Sequence, residues 1–303
     1  MTALSLSPDH TYLAVGHAQG HIYLYQLDTA PIPRPPPNSS RSSVGPPLVG
    51  LSTPTRTALS VSFAAAVAGK REGHLTGTRI LHIGFVGKRH TAIVSGDERG
   101  MAFYHSLGRV LGVDSTDILR VLGSYPDSPP STHNSSDPST PRSKQSAPTT
   151  LYAACPLPLG PHPSDAYQLS ALLTPTKLVI VGLKPSPRTW YRKLRERSIL
   201  PAEPDGLGGA VWRAGGETRD PLLAYWWGSA VRSVVIQVVE VMAGDSNSSH
   251  LGTGAVASRG DARGADLVKR VEFVEGGRGE AEGTIRGIQW LDDHVSTATV
   301  SGV

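Results

Sequence analysis

The sequence is poor in cysteine and contains no long apolar run. Cys155 is the only cysteine in 303 residues, so no disulfide can form within the chain, and a reducing compartment is the simplest setting. No uninterrupted apolar stretch approaches the roughly 20 residues that span a bilayer, and the N-terminus lacks the charged and apolar regions of a signal peptide. These absences predict a cytoplasmic protein without a membrane span.

Glycine and proline, by contrast, are plentiful, with 33 and 25 residues, as an all-β chain with many turns requires. A seventeen-residue pattern occurs twice, from Thr11 to Leu27 and from Thr91 to Leu107, at an offset of 80 residues (91 − 11). Each copy consists of an apolar strand, a turn whose glycines supply positive φ, and a second apolar strand, which predicts a β-hairpin. Hairpins that repeat at multiples of about forty residues indicate the blades of a β-propeller.

A strand with period-two alternation precedes each hairpin, at Ala3–Ser7 and at Ile80–His90. Weaker copies of the unit follow: Tyr167–Trp190, with Leu178–Val181 as an apolar strand and Arg188–Tyr191 as the next one; Leu222–Val238; and an opening strand at Thr284–Asp293. The sequence therefore predicts four units and part of a fifth, with no further strand after Asp293.

A closed propeller has roughly four to eight blades of four strands each. We therefore expect an all-β, WD-repeat-like β-propeller that is incomplete, with about four to five blades within residues 1–303, and that forms a piece of a longer propeller or of a truncated product. Three segments, about 31–54, 124–150 and 244–264, lack apolar periodicity, and the first two are rich in proline and serine. Such segments cannot bury enough surface to offset their ordering entropy, so they are predicted to be disordered loop insertions.

The formal net charge of +4 is mild, and much of the excess lies in Arg188–Arg197. One interpretation is a patch for acidic lipid or nucleic acid, with Trp190 and Tyr191 in an interface or stacked on bases. The other is a solvated outer strand that continues into a polar loop. The second is favoured because no RNA-binding motif accompanies the stretch, and we expect no nucleic-acid partner.

Two glycine motifs are reminiscent of nucleotide-binding loops. Gly252–Ala257 fits Gly-x-Gly-x-x-Ala, but it follows no strand, and the residues after it would break the required helix. Gly206–Gly209 lacks the lysine and hydroxyl residue of a phosphate loop, and we predict a flexible turn there. Neither motif predicts a cofactor.

Histidines and carboxylates also fall near predicted turns. His17 and His21 surround one turn and His82 and His90 flank another, without the recurring cysteine or carboxylate partners that a metal site needs. Asp97 and Glu98 form an acidic pair in the second hairpin, whereas the corresponding positions of the first hairpin hold His17 and Ala18. We therefore predict that the two carboxylates belong to a polar turn and that the fold does not require them. The sequence thus specifies no catalytic, cofactor-binding or metal-binding residue.

Three stretches resemble the vacuolar protein sorting-associated protein 8 family: HLTGTRILHIGFV at His74–Val86, TKLVIVGLKPSPRTW at Thr176–Trp190, and the strand and hairpin at Thr2–Leu27. The second is the most specific, above all in its turn at Gly182–Pro185. Members are large subunits of the endosomal tethering complex CORVET, with a WD-repeat-like propeller, an α-solenoid and typically a RING domain. The resemblance implies the propeller region alone. Where WD repeats carry Trp-Asp, this chain has Tyr25-Gln26 and His105-Ser106.

The resemblance implies recognition rather than catalysis. It predicts a non-catalytic interaction propeller that binds a Rab-type GTPase of early endosomes and other tethering-complex subunits, and that supports endosome/vacuole fusion and vacuolar protein sorting. It places the protein in the cytoplasm, peripheral on endosomal or vacuolar membranes, with indirect membrane contact and with partner-binding residues unassigned. Two alternatives remain: a general peptide-binding scaffold, and a propeller hydrolase, for which the inner strands Leu4–Leu6 and Leu81–Phe85 offer only His82.

Overall fold

Strands make up most of the described secondary structure, and a short 3₁₀ helix, Pro163–Tyr167, lies between two of them. A computed structural model describes residues 1–27, 56–60, 73–88, 92–110, 113–125, 150–196, 208–242, 254–255, 267–281, 283–291 and 294–300. In these residues the strands are β1 Ala3–Leu6, β2 Tyr12–Gly16, β3 Ile22–Gln26, β4 Arg56–Ser60, β5 Ile80–Phe85, β6 Ala92–Asp97, β7 Ala102–Val110, β8 Val113–Leu122, β9 Ala153–Pro156, β10 Leu169–Leu173, β11 Lys177–Gly182, β12 Arg188–Leu194, β13 Gly208–Arg213, β14 Leu222–Trp227, β15 Ala230–Met242, β16 Gly254–Ala255, β17 Leu267–Glu280, β18 Thr284–Leu291 and β19 His294–Val300.

These strands form five antiparallel sheets within the described part of the chain. The first is β1-β2-β3-β4, the second β5-β6-β7-β8 and the third β9-β10-β11-β12. The fourth is β13-β14-β15-β17, with the two-residue β16 added to β17, and the fifth is the pair β18-β19. Within each sheet, except at β16, each strand pairs with the strand that follows it along the chain, in the antiparallel orientation. The prediction of four units and part of a fifth is confirmed.

The first strands of the five sheets lie next to one another in chain order. β1 lies beside β5, β5 beside β9, β9 beside β13, and β13 beside β18. Inner strands that follow one another around an axis, with the later strands farther out, define a β-propeller. Between the described residues of β18 and β1 there is no comparable contact, so the five sheets form an arc. The WD-repeat-like, incomplete propeller is thus confirmed.

The prediction that no strand follows Asp293 was wrong. β19 pairs with β18 from Thr284 opposite Val300 to Leu291 opposite His294. The segment is rich in valine and threonine, which suit a pleated strand, but it offers only a weak alternation to recognise. Pairing with β18 supplies the backbone hydrogen bonds that make it a strand.

Two of the predicted insertions contain residues that the structure attaches to the sheets. Segment 31–54 lies outside the described residues. Within 124–150, Tyr125 is buried and its hydroxyl donates to the carbonyl oxygen of Gly73 at 2.7 Å. Within 244–264, Gly254–Ala255 pairs with β17 as β16. Composition averaged over a segment did not show where one aromatic side chain or a two-residue pairing attaches it to a sheet.

Apolar side chains between neighbouring sheets form the core. The first junction packs Ala14, Ile22 and Leu24 of the first sheet against residues of the second sheet such as Ile80 and Ile93. Burial of each large apolar side chain contributes about 1.5–3 kcal/mol relative to exposure, so these faces hold the sheets together. The largest core cluster lies between the third and fourth sheets.

The two hairpins use their glycines in two different ways. Gly20 and Gly100 have φ of 84° and 75°, in the left-handed region that favours glycine. Gly16 and Gly96 do not have a positive φ. A Cβ at Gly16 would lie 2.7 Å from Cγ2 of Ile80, and a Cβ at Gly96 would meet a side chain leading into the third sheet. The predicted turn role therefore holds for the second glycine of each hairpin, whereas the first permits close packing of sheets.

The opposite face of the first sheet is covered by none of the described sheets. Ala3 packs toward the second sheet, so the alternating side chains of Leu4 and Leu6 point away from it. The register places Leu4 opposite Val15 and Leu6 opposite Leu13 on this face. Leu4 and Leu6 are 50% and 47% exposed, which makes the face one of the most apolar exposed parts of the described surface.

Candidate interaction surface

A chain of four polar side chains runs through the interior of the second sheet. Nδ1 of His74 lies 2.8 Å from Oδ2 of Asp97, and Nε2 of His74 lies 2.7 Å from Oγ of Ser95. That hydroxyl lies 2.7 Å from Nε2 of His105. Because an ionised carboxylate only accepts hydrogen bonds, His74 donates through Nδ1. The network joins the segment before β5 to β6 and β7.

The spacing of Asp97, His74 and Ser95 is that of an acid, a base and a nucleophile, but their burial gives them a structural role. Ser95 and Asp97 are completely buried and His74 is 1% exposed, so no substrate reaches the Ser95 hydroxyl. Asp97 also accepts two backbone N–H bonds of the following turn at 2.9 Å each. The prediction that the fold does not require Asp97 was wrong, because this carboxylate satisfies buried donors that would otherwise be unpaired.

His105 ends this network at the position of the WD-repeat tryptophan. Its Nδ1 is buried and has no hydrogen-bond partner among the residues that the structure describes. The pKa of His105 is lowered to about 3, mainly by burial and secondly by the charge on His74. The first hairpin has Val15, His17 and Tyr25 at the corresponding positions, so it cannot form the same network. The sequence analysis did not single out His74. The sequence signal for its role is the pair Gly73-His74 ahead of a hairpin that contains Ser-x-Asp at Ser95–Asp97.

His82 was the polar residue predicted nearest the propeller axis. Its Nε2 donates to the carbonyl oxygen of Leu151 at 2.9 Å. Burial lowers the pKa of His82, and this hydrogen bond offsets the effect only in part. The inner strands β1, β5, β9, β13 and β18 contain no carboxylate and no other histidine. His82 therefore links the second and third sheets and has no acid–base partner on these strands.

The remaining predicted residues do not converge on one site. The rings of His17 and His21 lie 6.3 and 6.1 Å from the ring of Tyr23, and Glu98 accepts a hydrogen bond from a backbone N–H before β5 at 3.0 Å. His90 lies outside the described residues. In the part of the chain that the structure describes, no group of three histidine, cysteine or acidic side chains is placed to hold a metal ion.

The two glycine motifs do not form phosphate loops where they are described. Gly208 and Gly209 begin β13, and a Cβ at Gly209 would collide with the ring of Trp226. The prediction of a flexible turn was wrong for these two residues, because the glycines let the indole pack on the strand. Of Gly252–Ala257, the structure describes only Gly254–Ala255, in β16.

A second polar cluster fixes two loops at one end of the third and fourth sheets. Nδ1 of His162 accepts the backbone N–H of Ser164 at 3.2 Å, which caps the 3₁₀ helix. Nε2 of His162 lies 3.2 Å from Oδ1 of Asp220, in the loop from β13 to β14. Gln237 donates to the other oxygen of Asp220 at 3.2 Å. The cluster thus connects the β9–β10 loop to the fourth sheet.

The most family-specific turn lies at the same end. The backbone N–H groups of Leu183 and Lys184 donate to the carbonyl oxygen of Tyr167, at 3.0 and 3.1 Å, which holds the turn against the 3₁₀ helix. Lys184, Pro185 and Ser186 are exposed. We call this surface, formed by the 3₁₀ helix, the turn 184–187 and the loop 214–221, the loop end. It is exposed and supported by hydrogen bonds to the sheets below it.

The basic stretch forms the outermost strand of the third sheet, as predicted, and then continues to Glu196. Trp190 and Tyr191 are buried, so the interpretation in which they stack on bases or enter an interface is contradicted. The ring of Tyr191 stacks on Phe273 with centroids 5.3 Å apart. Nζ of Lys193 lies 2.6 Å from Oε1 of Glu275. Part of the basic charge therefore contacts the fourth sheet instead of solvent.

A second ion pair completes this contact. Two guanidinium nitrogens of Arg232 in β15 donate to the two oxygens of Glu196, at 3.0 and 2.8 Å. These bonds lower the pKa of Glu196, and the hydrogen bond from Lys193 is the main cause that lowers the pKa of Glu275. Each of these exposed pairs contributes little by itself because solvent screens it, but together they close the outer rim between the third and fourth sheets.

No helix in the described ranges is both long and apolar enough to cross a membrane. The five sheets and their radial order define a WD-repeat-like β-propeller that presents loops at both ends. The polar clusters described above support the fold from within, and the loop end and the outer rims of the sheets are among its exposed surfaces.

Comparison with known proteins identifies the family. The family model described as the Vps8 beta-propeller matches residues 1–298. A solved structure that is similar to the chain is the Cps50 (Swd1) beta-propeller domain of Myceliophteria thermophila, with 14% identity, coverage of 81% of this chain and 56% of that chain, and a TM-score of 0.44. This chain thus spans little more than half of that structure's length. A comparison with the curated proteins gives no match.

Because the family match extends over nearly the whole sequence, the chain belongs to the Vps8 beta-propeller family. This confirms the resemblance found in the three sequence stretches.

Proposed function

We propose that this chain is the non-catalytic interaction propeller of an endosomal tethering subunit, that it binds an early-endosomal Rab-type GTPase in its GTP form, and that it thereby supports endosome/vacuole fusion. The observation that carries the proposal is the family match over residues 1–298. Assembly with other CORVET subunits, which would bring it to the membrane surface without inserting into it, is part of the same proposal.

The architecture is suited to this role. A GTPase presents its nucleotide state through small changes in surface shape, and a partner that distinguishes them must be preorganised. At the loop end, His162 and Asp220 hold one loop against the next sheet, and Tyr167 holds the turn that contains Lys184. A partner interface of ordinary size, roughly 1,200–2,000 Å² of total burial, requires a surface supported in this way.

We place the GTPase contact at the loop end. The stretch Thr176–Trp190, which carries the most specific part of the resemblance, contributes its exposed turn to this surface. Lys184 is exposed there and does not take part in the sheet core. The GTPase carries its own nucleotide, so the proposal requires no nucleotide site in this chain.

Retention of purified GTPases on the immobilised 303-residue chain tests the proposal. Early-endosomal Rab proteins are loaded either with GDP or with a GTP analogue that resists hydrolysis, and retention is measured for each. We expect retention of the GTP-analogue form only. Equal retention of the two forms, or failure of both with a chain shown to be folded by circular dichroism, would contradict GTPase recognition.

A pair of charge-reversal variants tests the location. Lys184→Glu changes an exposed cation at the loop end, and Arg99→Glu makes the same change in the exposed β6–β7 turn at the opposite end of the sheets. We expect Lys184→Glu to weaken binding at least about fivefold and Arg99→Glu to leave it unchanged, since charges act mainly within their own interface. The reverse result would move the contact to the other end without refuting GTPase binding.

A further inference from the structure

The outer rim between the second and third sheets differs from the rim between the third and fourth. In the latter, Tyr191 stacks on Phe273 and Lys193 pairs with Glu275, so side chains close the gap. Between the described side chains of β8 and β12, no ion pair, hydrogen bond or ring contact crosses the gap. Among the described side chains, the junction between the second and third sheets is therefore packed by apolar contacts and lacks the ion pairs and ring contacts that close the next junction.

The strand registers identify the side chains that line this opening on the third sheet. Val179 belongs to the core cluster shared with the second sheet, so its face of β11 is turned toward that sheet. Arg192 lies opposite Val179, and Leu194 lies opposite Lys177. Cross-strand partners share a face, so these three residues of the outer strands point toward the second sheet.

The second sheet contributes the other wall. Val94 belongs to the same core cluster and lies opposite Tyr104, which in turn lies opposite Leu119 of β8. Tyr104 is half-buried against the cluster, and Leu119 is 44% exposed. We name the opening lined by Tyr104, Leu119, Lys177, Arg192 and Leu194 the rim cleft.

The rim cleft exposes apolar side chains beside uncompensated positive charge. Leu194 is 58% exposed and, with Leu119, is among the few large apolar side chains exposed in the described part of the chain. Arg192 is exposed, and among the described residues neither Arg192 nor Lys177 pairs with a carboxylate. Asp117, two residues from Leu119 on the same face, forms no ion pair with either cation.

The two cations also affect each other. Burial lowers the pKa of Lys177, and the nearby charge of Arg192 lowers it further. Like charges held on adjacent strands are unfavourable. On the other face of β12, which meets the fourth sheet, Lys193 has an acidic partner and Arg188 lies over an aromatic ring. Carboxylates supplied from outside would relieve this repulsion.

We propose that the rim cleft binds a segment of a partner protein in which acidic residues stand beside large apolar side chains. Such a segment would bury Leu119 and Leu194 and neutralise Arg192 and Lys177. Nucleic acid fits less well because the aromatic rings of β12 are buried. A membrane surface fits less well because polybasic lipid sites use about four to eight cations. The proposal concerns a different surface from the loop end and does not depend on GTPase binding.

Selection from a displayed library of random twelve-residue peptides on the immobilised full chain tests this inference. Enriched peptides are synthesised, and their affinity is measured by fluorescence polarisation for the parent chain, for Arg192→Glu and for Arg188→Glu. Arg188 is the matched control: it lies on the same strand, but opposite Gly182 on the face turned toward the fourth sheet, over the ring of Trp190. Equal thermal unfolding temperatures show that the exposed substitutions leave the fold intact.

We expect enrichment of peptides that combine Asp or Glu with Leu, Ile or Phe, and at least a tenfold loss of affinity in Arg192→Glu with little change in Arg188→Glu. Leu194→Ser should also weaken binding, which an electrostatic attraction alone would not produce. The proposal is overturned if no acidic sequence is enriched or if Arg192→Glu binds the peptides as well as the parent. It is also overturned if anionic vesicles or single-stranded RNA bind through Arg192 while acidic peptides do not.

Discussion

Acid should destabilise this propeller through His105. The side chain is completely buried and its pKa is lowered from 6.5 to about 3 in the folded chain. Between these two values the unfolded chain binds a proton that the folded chain does not, so stability falls as the pH falls below about 6.5. The slope is about 1.4 kcal/mol per pH unit, which gives a loss of about 2 kcal/mol between pH 6.5 and pH 5.

The substitution His105→Gln isolates this effect. Glutamine can place an N–H donor near Oγ of Ser95 but does not titrate. We expect the variant to be less stable than the parent at pH 7.5 by about 1 kcal/mol, because packing in a buried site is imperfect. Its loss of stability between pH 7.5 and pH 5 should, however, be smaller than the parent's by about 2 kcal/mol.

Urea unfolding followed by tryptophan fluorescence, repeated at half-unit intervals of pH, measures both quantities. His17→Gln makes the same change in an accessible turn and should keep the parent's dependence on pH. If His105→Gln loses as much stability on acidification as the parent does, then burial of a neutral His105 is not the source of the acid sensitivity.

Two further predictions concern packing and exposure. Gly16→Ala should lower the free energy of unfolding by about 1–3 kcal/mol, because the new Cβ would lie 2.7 Å from Cγ2 of Ile80. Gly279→Ala is the control: no atom lies within 4 Å of its Cβ, so the free energy of unfolding should change by less than about 0.5 kcal/mol. Similar losses for the two variants in urea unfolding would refute the packing argument. The double substitution of Leu4 and Leu6 by glutamate should reduce concentration-dependent self-association in sedimentation velocity, because both leucines are about half exposed on an uncovered sheet face. Unchanged association would show that this face is not the adhesive one.

Strand positions could be predicted where the signal is local. Period-two alternation and a glycine with positive φ placed the hairpins of Thr11–Leu27 and Thr91–Leu107 correctly, because both depend on residues adjacent in sequence. β19 and β16 were missed because their strand character depends on pairing with β18 and β17. The family resemblance located the loop-end turn but did not show what supports it.

The polar contacts, in contrast to the strands, could not be predicted from local sequence. Asp97 looked dispensable in sequence, since its partner His74 lies 23 residues earlier and belongs to another segment of the sheet. The cations of the basic strand looked equivalent, yet the fold pairs Lys193 with Glu275, 82 residues later, and leaves Arg192 facing the rim cleft. Alternation along a strand specifies which side chains share a face, but not which neighbouring sheet that face meets.

The sequence by itself thus determined the all-β class, the repeated unit and the order of the sheets, because these follow from the spacing of turns and from the alternation of apolar side chains. Only the tertiary structure decided which glycines serve packing, which histidines are buried and neutral, and which charges pair with one another. Those properties depend on contacts between sheets that are far apart in the chain, where burial changes the free energy of a charge and a neighbour a few ångströms away determines its partner.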